Sequence, residues 1–139
     1  MSTVLANATC VAIDGRAMLI EGPPGSGKSS LALALIDRGA VLIGDDGVTL
    51  EVREERLWAS PPPSIAGLLE VRNVGLVTMP AASAPLALVI RLDSQAPRWV
   101  DDVEQVKLAG HLLPLLRLYP ETGGLPLRAE LALKVHGLA

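Results

Sequence analysis

The segment from Gly22 to Ser29 constrains this chain more than any other part of its sequence. It fits the phosphate-binding pattern G-x-x-x-x-G-K-[ST], and its residues are Gly22, Pro23, Pro24, Gly25, Ser26, Gly27, Lys28 and Ser29. The glycines let the backbone turn tightly, so that its N–H groups can approach phosphate oxygens. The pattern places Lys28 within reach of the β- and γ-phosphates of a nucleotide, and the Ser29 hydroxyl where it can ligate Mg²⁺. We therefore expect a phosphorylated ligand.

The neighbours of this segment match the context that such a loop requires. The apolar run 17–20 predicts a short buried strand upstream, and Ser30–Arg38 predicts a helix that ends at a Gly39 cap. The first N–H groups of that helix have no partner within the helix, so its positive end would face the same anion. Ser30, directly after the motif, joins the loop residues as a candidate for phosphate binding.

The composition excludes several classes of function. A chain of 139 residues is expected to form one domain, 1–139. Its net charge is −3, it has no dense run of Lys or Arg, and it contains no Phe, one Tyr and two Trp, which argues against nucleic-acid binding. No apolar run reaches the length of a membrane span. The single cysteine, Cys10, cannot form an intramolecular disulfide, which suits a reducing compartment. We therefore expect a cytoplasmic enzyme with no membrane partner.

Apolar runs and turn residues predict an α/β fold around the loop. The dipeptide Asp14-Gly15 between the runs 9–13 and 16–20 predicts a hairpin that leads into the loop strand. Pro114 in the apolar run 112–119 favours an edge strand or an irregular segment. The other predicted elements are a strand at 40–46, a hairpin of 48–52 with 56–59, an interrupted apolar stretch at 67–79, a strand at 86–92, an exposed loop at 95–102 and a helix at 126–135.

Two consecutive carboxylates, Asp45 and Asp46, follow the predicted strand at 40–46. A phosphate-binding loop of this kind needs a carboxylate to hold Mg²⁺ or its water, and often another to orient the nucleophile. Ligands bind at strand ends in α/β sheets, so this position favours a catalytic function over a simple turn before Gly47. Asp93, which also follows an apolar strand, is a competing metal-site carboxylate.

Three further charged residues are candidates for the same chemistry. Glu70 and Arg72 lie two residues apart and share one face if the segment is a strand. They could hold a metal ion and a phosphate, respectively, and an exposed ion pair is the alternative. Arg98, in a predicted loop, could reach an anionic substrate or be merely solvated.

Three ordered motifs together resemble the catalytic domain of the HPr kinase/phosphorylase family. They are the run 8–13 leading through the loop, the strand 42–46 ending in Asp-Asp, and the segment 69–75, Leu-Glu-Val-Arg-Asn-Val-Gly, which is similar to the family signature Glu-[Ile/Val]-Arg-Gly-x-Gly. The resemblance extends from about residue 6 to about residue 98. The chain looks like the short form found in some alphaproteobacteria, which lacks the N-terminal domain of longer members.

The resemblance implies a fold and an activity. The fold is a loop-containing domain with a mixed β-sheet, related to that of phosphoenolpyruvate carboxykinase. The activity is ATP- and Mg²⁺-dependent phosphorylation of a serine in HPr, a phosphocarrier of the sugar phosphotransferase system, and the reverse phosphorolysis with phosphate that forms pyrophosphate. Full-length members are hexamers, so a homo-oligomer is expected.

The resemblance also implies roles for individual residues. Lys28 and the loop amides would bind the triphosphate, and Ser29 with Glu70 would ligate Mg²⁺. Asp46, with Asp45 beside it, would be the general base in the kinase direction and the general acid in reverse. Phosphoryl charge would be stabilised by Arg72 and Arg98.

Some positions depart from the family pattern and keep two alternatives open. Asn7 stands where the family usually has a histidine, Pro24 replaces a loop serine, Ser30 replaces an acidic residue, and Asn73 replaces a glycine, although Asn tolerates a left-handed backbone. These departures allow a nucleotide-binding regulatory module without catalysis. The third hypothesis is a P-loop kinase of small molecules, against which the hairpin before the loop argues.

Overall fold

A strand, a glycine-rich loop and a helix lie at the centre of the fold in the predicted order. The computed structural model of the protein describes residues 2–64, 66–121 and 123–139. Its elements, in chain order, are β1 Ser2–Ala6, β2 Thr9–Ile13, β3 Arg16–Glu21, α1 Lys28–Asp37, β4 Val41–Gly44, β5 Gly47–Arg53, β6 Arg56–Ser60, β7 Leu68–Val71, β8 Gly75–Thr78, β9 Ala84–Leu92, β10 Glu104–Leu108, β11 His111–Leu118 and α2 Leu125–His136.

The hairpin of β2 and β3 sets the loop strand in place, as predicted. Its two turn residues, Asp14 and Gly15, have φ angles of 50° and 79°. Such positive values match the twist of the strands in a two-residue hairpin. The antiparallel register runs from Ile13 opposite Arg16 to Thr9 opposite Ile20. The turn therefore fixes which residue of β2 lies beside the end of β3, where the loop begins.

Strands β3 and β9 form the parallel centre of a mixed sheet, which confirms the predicted sheet type. Among the described residues the main sheet has nine strands, in the order β1-β5-β6-β9-β3-β2-β4, with β11 and β10 branching from β9. One side of β9 pairs with β3. The other side pairs with β6 near its beginning and with β11 near its end. Strands β7 and β8 form a separate hairpin.

Both faces of β3 are buried, which explains its almost continuous apolar sequence. Because side chains alternate along a strand, Met18 and Ile20 face the helices, whereas Ala17 and Leu19 face the opposite layer. That opposite layer contains apolar side chains of β5 and β6, so the sheet curls over its own second face. The core accordingly lies in two parts on either side of β3 and β9.

The two helices cover one face of the sheet. Helix α1 begins at Lys28, two residues before the predicted start, because Gly27 adopts a left-handed conformation with φ 99° and serves as the N-cap. After α1, Gly39 has φ 110°, as expected of a helix-ending glycine. Helix α2 lies close to its predicted range and carries Pro126 in its first turn. No helix in the described parts of the chain is long and apolar enough for a membrane span.

The prediction for the run around Pro114 was wrong. Strand β11 is not an edge strand, because it lies between β10 and β9. Pro114 is opposite Gln105 of β10, and the parallel pairing with β9 begins only at Leu115. The missing N–H of the proline is therefore not needed by the ladder to β9. Strands β1 and β10 were not predicted from the sequence.

Helix α2 allows a test of how the core stabilises the fold. Leu133 is 1% exposed and lies in the core, whereas Leu131 on the same helix is 55% exposed. We expect Leu133→Ala to lower the free energy of unfolding by about 2–5 kcal/mol, because it removes buried methyl groups and leaves a cavity. Leu131→Ala should change it by less than about 0.5 kcal/mol. Urea denaturation of both variants measures the difference, and equal losses would contradict this placement of α2.

Candidate active site

The glycine-rich loop joins β3 to α1 through backbone conformations that its glycines supply. Gly25 and Gly27 have φ angles of 79° and 99°, with open space where a side chain would stand, so the backbone conformation is the requirement. At Gly22 the requirement is also spatial, because a Cβ atom there would lie 2.7 Å from the Ser26 hydroxyl oxygen and 3.2 Å from the Leu92 carbonyl oxygen. The loop thus keeps its backbone accessible to a ligand.

The start of α1 is open to an anion. Its N-cap, Gly27, has no side chain, and the first turn carries no acidic residue. The first intrahelical bond runs from the Leu31 N–H to the Gly27 carbonyl, at 2.9 Å. The earlier N–H groups, from Lys28 to Ser30, have no acceptor in the helix. The Lys28 ammonium donates to the Gly22 carbonyl at 2.9 Å, which holds the lysine back over the loop.

The Asp45 carboxylate ties three elements to one another beneath the loop. One of its oxygens, Oδ1, accepts the Ser29 hydroxyl of α1 at 2.7 Å and the Thr9 hydroxyl of β2 at 3.0 Å. The other oxygen, Oδ2, accepts the backbone N–H of Glu70 in β7 at 3.1 Å. Asp45 is only 6% exposed, and these three donors compensate for the burial of its carboxylate.

A tight turn between β4 and β5 separates the two neighbouring aspartates. A side chain at Gly44 would overlap the carbonyl oxygen of Gly47, so only glycine permits this turn. Asp46 has φ 58°, and its carbonyl accepts the Asn7 N–H at 3.1 Å. As a result Asp45 points into the protein, whereas Asp46 is exposed and lines a cavity. Their positions differ although they are adjacent in sequence.

The β7–β8 hairpin contributes the remaining charged groups. Glu70 lies in β7 and Arg72 lies in the turn, both exposed. The turn is closed by a hydrogen bond from the Val74 N–H to the Val71 carbonyl, at 3.0 Å. Asn73 has φ 68° in this turn, the left-handed conformation that asparagine tolerates. The turn can therefore form without the signature glycine.

A cavity of about 920 Å³ brings most of the predicted site residues together. They are Gly22, Pro24, Gly25, Gly27, Lys28, Ser29, Ser30, Asp46, Glu70 and Arg72. Pro23 and Ser26 belong to the same loop, and Asp45 reaches the cavity only through its contacts. Arg98 lies elsewhere, in a second cavity of about 510 Å³ beside α2. The glycine-rich loop thus faces one exposed aspartate, one glutamate and one arginine.

Sequence reasoning missed Thr9 as a residue of the site and named Asn7 only as a departure from the family pattern. Thr9 is fully buried and binds Asp45, and Asn7 lines the cavity and binds the backbone of Asp46. A signal for Thr9 exists, since it is a polar residue in an apolar strand next to the loop strand. Its partner lies 36 residues away in the chain, so the sequence alone does not identify the contact.

Asp93, the competing metal-site carboxylate, is engaged in an ion pair instead. It accepts the Gln95 N–H at 2.8 Å and the Arg117 guanidinium at 2.9 Å. These hydrogen bonds, first the one from Gln95 and then the one from Arg117, lower the pKa of Asp93. Arg117 also lowers the pKa of Glu104, to which it donates at 2.7 Å. Nowhere in residues 2–64, 66–121 and 123–139 do three or more His, Cys, Asp or Glu side chains form a group suited to a metal ion.

Comparison with known proteins gives consistent relatives. A family model described as the HPr Serine kinase C-terminal domain matches residues 2–96. The HPr kinase/phosphorylases of Streptococcus equinus and Streptococcus sanguinis are 34% and 32% identical to the chain over 125 residues, covering 80% of this chain. The chain spans 40% of the length of these curated relatives.

A solved structure supports the same relationship over nearly the whole chain. The HPr(Ser) kinase/phosphatase from Coxiella burnetii matches with a TM-score of 0.85 and 28% sequence identity. The match covers 96% of this chain and 90% of that one. This match confirms the predicted mixed α/β fold, which the chain shares with that solved structure.

The ion pair of Asp93 predicts how stability depends on pH. A carboxyl group whose pKa is lowered by folding stabilises the protein above its unfolded pKa of about 3.8, and this stabilisation is lost as the pH falls through the folded value. We expect the melting temperature of Asp93→Asn to be lower at pH 7 and to fall less steeply between about pH 5 and about pH 3. Arg117→Gln should flatten the profile in the same way, and a profile unchanged in both variants would refute the pairing.

The turn at Gly44 predicts a strong effect of a single methyl group. Gly44→Ala should destabilise the protein by about 2 kcal/mol or more, because the added carbon overlaps the Gly47 carbonyl. Gly124→Ala is the matched control, since its φ of −69° suits alanine and the space beside it is open. Thermal denaturation should show a change of less than about 1 kcal/mol for the control. Similar melting temperatures for both variants would contradict the turn described.

Proposed function

The chain belongs to the HPr serine kinase C-terminal domain family, and on this premise we propose that it phosphorylates a serine of an HPr-like phosphocarrier protein with ATP. We also propose the reverse phosphorolysis, in which phosphate takes the phosphoryl group from phosphoserine. The relatives named HPr kinase/phosphorylase support both directions. The observation that carries the proposal is the cavity in which the phosphate-binding loop faces Asp46, Glu70 and Arg72.

The loop provides the proposed nucleotide site. The free N–H groups at the start of α1 and the backbone of the loop would bind phosphate oxygens, favoured by the helix dipole. Lys28 now donates to the Gly22 carbonyl, and its ammonium has further protons for a phosphate. Proline at position 24 lines the cavity but has no N–H, so the phosphate donors of the loop would be N–H groups of its other residues.

The oxygen donors in the cavity fit Mg²⁺. Ser29 and Glu70 both line the cavity, and Mg²⁺ in such sites is held by one or two protein ligands together with phosphate oxygens and water. The Ser29 hydroxyl donates its proton to Asp45 in a hydrogen bond, so the lone pairs of the Ser29 oxygen remain available to a metal. When bound, Mg²⁺ neutralises charge on the phosphate oxygens. We propose Ser29 and Glu70 as its protein ligands.

Asp46 is the proposed general base. Its carboxylate lines the cavity and takes part in no hydrogen bond within the described parts of the chain, whereas Asp45 is occupied by three donors. In the kinase direction the serine oxygen bonds to the γ-phosphorus, the bond from that phosphorus to the β–γ bridging oxygen breaks, and Asp46 takes the hydroxyl proton. In reverse, phosphate attacks the phosphoserine phosphorus, pyrophosphate forms, and Asp46 returns the proton to the serine oxygen.

Arg72 is the proposed residue that stabilises the negative charge of the transferred phosphoryl group. It lies on the same cavity as Asp46, on an exposed turn that leaves its guanidinium accessible. A guanidinium matches the geometry of phosphate oxygens. Arg98 lines a different cavity, so the proposed catalytic set does not include it.

The cysteine of the proposed enzyme supports its cellular setting. We propose a single catalytic-type domain, 1–139, that acts in the cytoplasm as a homo-oligomer. Cys10 is a free buried thiol, which suits a reducing compartment.

Two substitutions separate binding from transfer. We expect Asp46→Asn to reduce phosphorylation of the HPr encoded in the same genome by about 100-fold or more, because the serine proton has no acceptor. Its affinity for ATP should stay within about twofold of the unsubstituted protein. Lys28→Ala should lose both phosphorylation and ATP binding, since it removes a direct phosphate contact. Phosphoserine is measured by mass spectrometry, and ATP affinity by calorimetry.

The two arginines provide the matched control. Arg72→Ala should lower phosphoryl transfer, whereas Arg98→Ala should leave it within about twofold, because only Arg72 lines the proposed site. If the protein binds ATP but transfers no phosphoryl group in either direction, the kinase proposal is wrong and the nucleotide-binding regulatory module is favoured. Transfer to a metabolite with none to protein would favour a small-molecule kinase.

A further inference from the structure

Thr9 is a buried hydroxyl directly below the candidate site. It begins β2 opposite Ile20 of β3, two residues before the loop starts at Gly22. Its exposed fraction is 0%, and its hydroxyl donates to Asp45 Oδ1 at 3.0 Å. A buried hydroxyl without such a partner is costly, so the carboxylate and Thr9 require each other.

The position of Thr9 differs from that of the other two donors to Asp45. Ser29 is in the first turn of α1, and Glu70 is in a two-stranded hairpin at the surface. Thr9 belongs to a strand that is paired on both sides, with β3 and with β4. It is therefore the donor that attaches the carboxylate to the rigid sheet.

Ser29 and Thr9 share the same carboxylate oxygen. A hydroxyl group has one proton and two lone pairs, so a Ser29 proton held on Asp45 Oδ1 directs the lone pairs elsewhere. The Asp45 side chain can turn about its terminal bond unless its oxygens are held. Thr9 on Oδ1 and the Glu70 N–H on Oδ2 hold both.

We propose that Thr9 is a positioning residue for metal binding. Its hydroxyl holds the Asp45 carboxylate in the orientation that keeps the Ser29 proton on Asp45 and the Ser29 lone pairs available to Mg²⁺. The inference rests on the proposed nucleotide and Mg²⁺ site. It assigns to Thr9 no contact with the nucleotide, because Thr9 acts only through Asp45 and Ser29.

Substitution of Thr9 by valine and by serine separates the hydrogen-bonding role of its hydroxyl from the packing of its methyl group. Thr9→Val keeps the shape of the side chain and removes the hydroxyl, whereas Thr9→Ser keeps the hydroxyl and removes a methyl group. Thr49→Val is the matched control, because the Thr49 hydroxyl oxygen is buried and has no hydrogen-bond partner among the described residues. The measurement is ATP affinity by calorimetry, once with Mg²⁺ and once with EDTA.

Thr9→Val is expected to reduce the gain in ATP affinity that Mg²⁺ provides by about tenfold, the scale of one hydrogen bond to a charged group. Affinity in EDTA should stay within about twofold, since Lys28 and the loop amides are untouched. Thr9→Ser should keep most of the gain, and Thr49→Val should keep all of it. Thr9→Ala, which also lacks the hydroxyl, is expected to match Thr9→Val and replaces it if that variant does not fold.

Several outcomes would overturn the proposal. They are an unchanged Mg²⁺ gain in Thr9→Val, an equal loss of affinity with Mg²⁺ and with EDTA, and a Thr9→Ser variant as weak as Thr9→Val. An unsubstituted protein whose ATP affinity does not respond to Mg²⁺ would also refute it. None of these measurements involves phosphoryl transfer, so a failure of the proposed kinase activity is distinguishable from a failure of the role of Thr9.

Discussion

The candidate site depends on the hydrogen bonds that the buried carboxylate of Asp45 accepts. Its three hydrogen bonds join β2, the first turn of α1 and the β7–β8 hairpin, which otherwise belong to separate parts of the chain. A carboxylate buried without such donors would be strongly destabilising. The same bonds therefore compensate for burial and fix the hairpin that carries Glu70 and Arg72 relative to the loop. Stability and site geometry share one set of contacts.

The parallel pair of β3 and β9 provides the platform for these contacts. With both faces buried, the pair is held by the helices on one side and the curled layer on the other. Ligands of α/β sheets bind beyond the carboxyl ends of the strands. The loop leaves β3 at such an end, and the turn from Gly44 to Gly47 brings two aspartates beside it. Glycine at position 44 makes this turn possible, and the turn gives Asp45 and Asp46 opposite environments.

Predictions that rested on short-range signals were confirmed. The Asp14-Gly15 hairpin, helix α1, and the hairpin of β5 and β6 all depend on residues close together in the chain. Strand β10 was missed although it forms a local hairpin with β11 through the turn at Ala109 and Gly110, whose φ angles are positive. Strand β1 was missed because it is a strand through pairing with a distant partner, β5. Strand β11 was misplaced for a related reason. A proline disfavours the middle of a sheet only where its N–H would be needed, and the sequence does not state which neighbour lies on which side.

The sequence by itself determined the glycine-rich loop, the elements on either side of it and the residue types of the candidate site, because glycine conformations, helix ends and motif spacing are local properties. Tertiary structure decided how those residues divide their tasks. It buried Asp45 and left Asp46 exposed, joined Thr9 to the site across 36 residues, and set Arg98 in another cavity. These outcomes depend on which strands lie side by side, and that choice arises from burying two faces of one sheet rather than from any short segment.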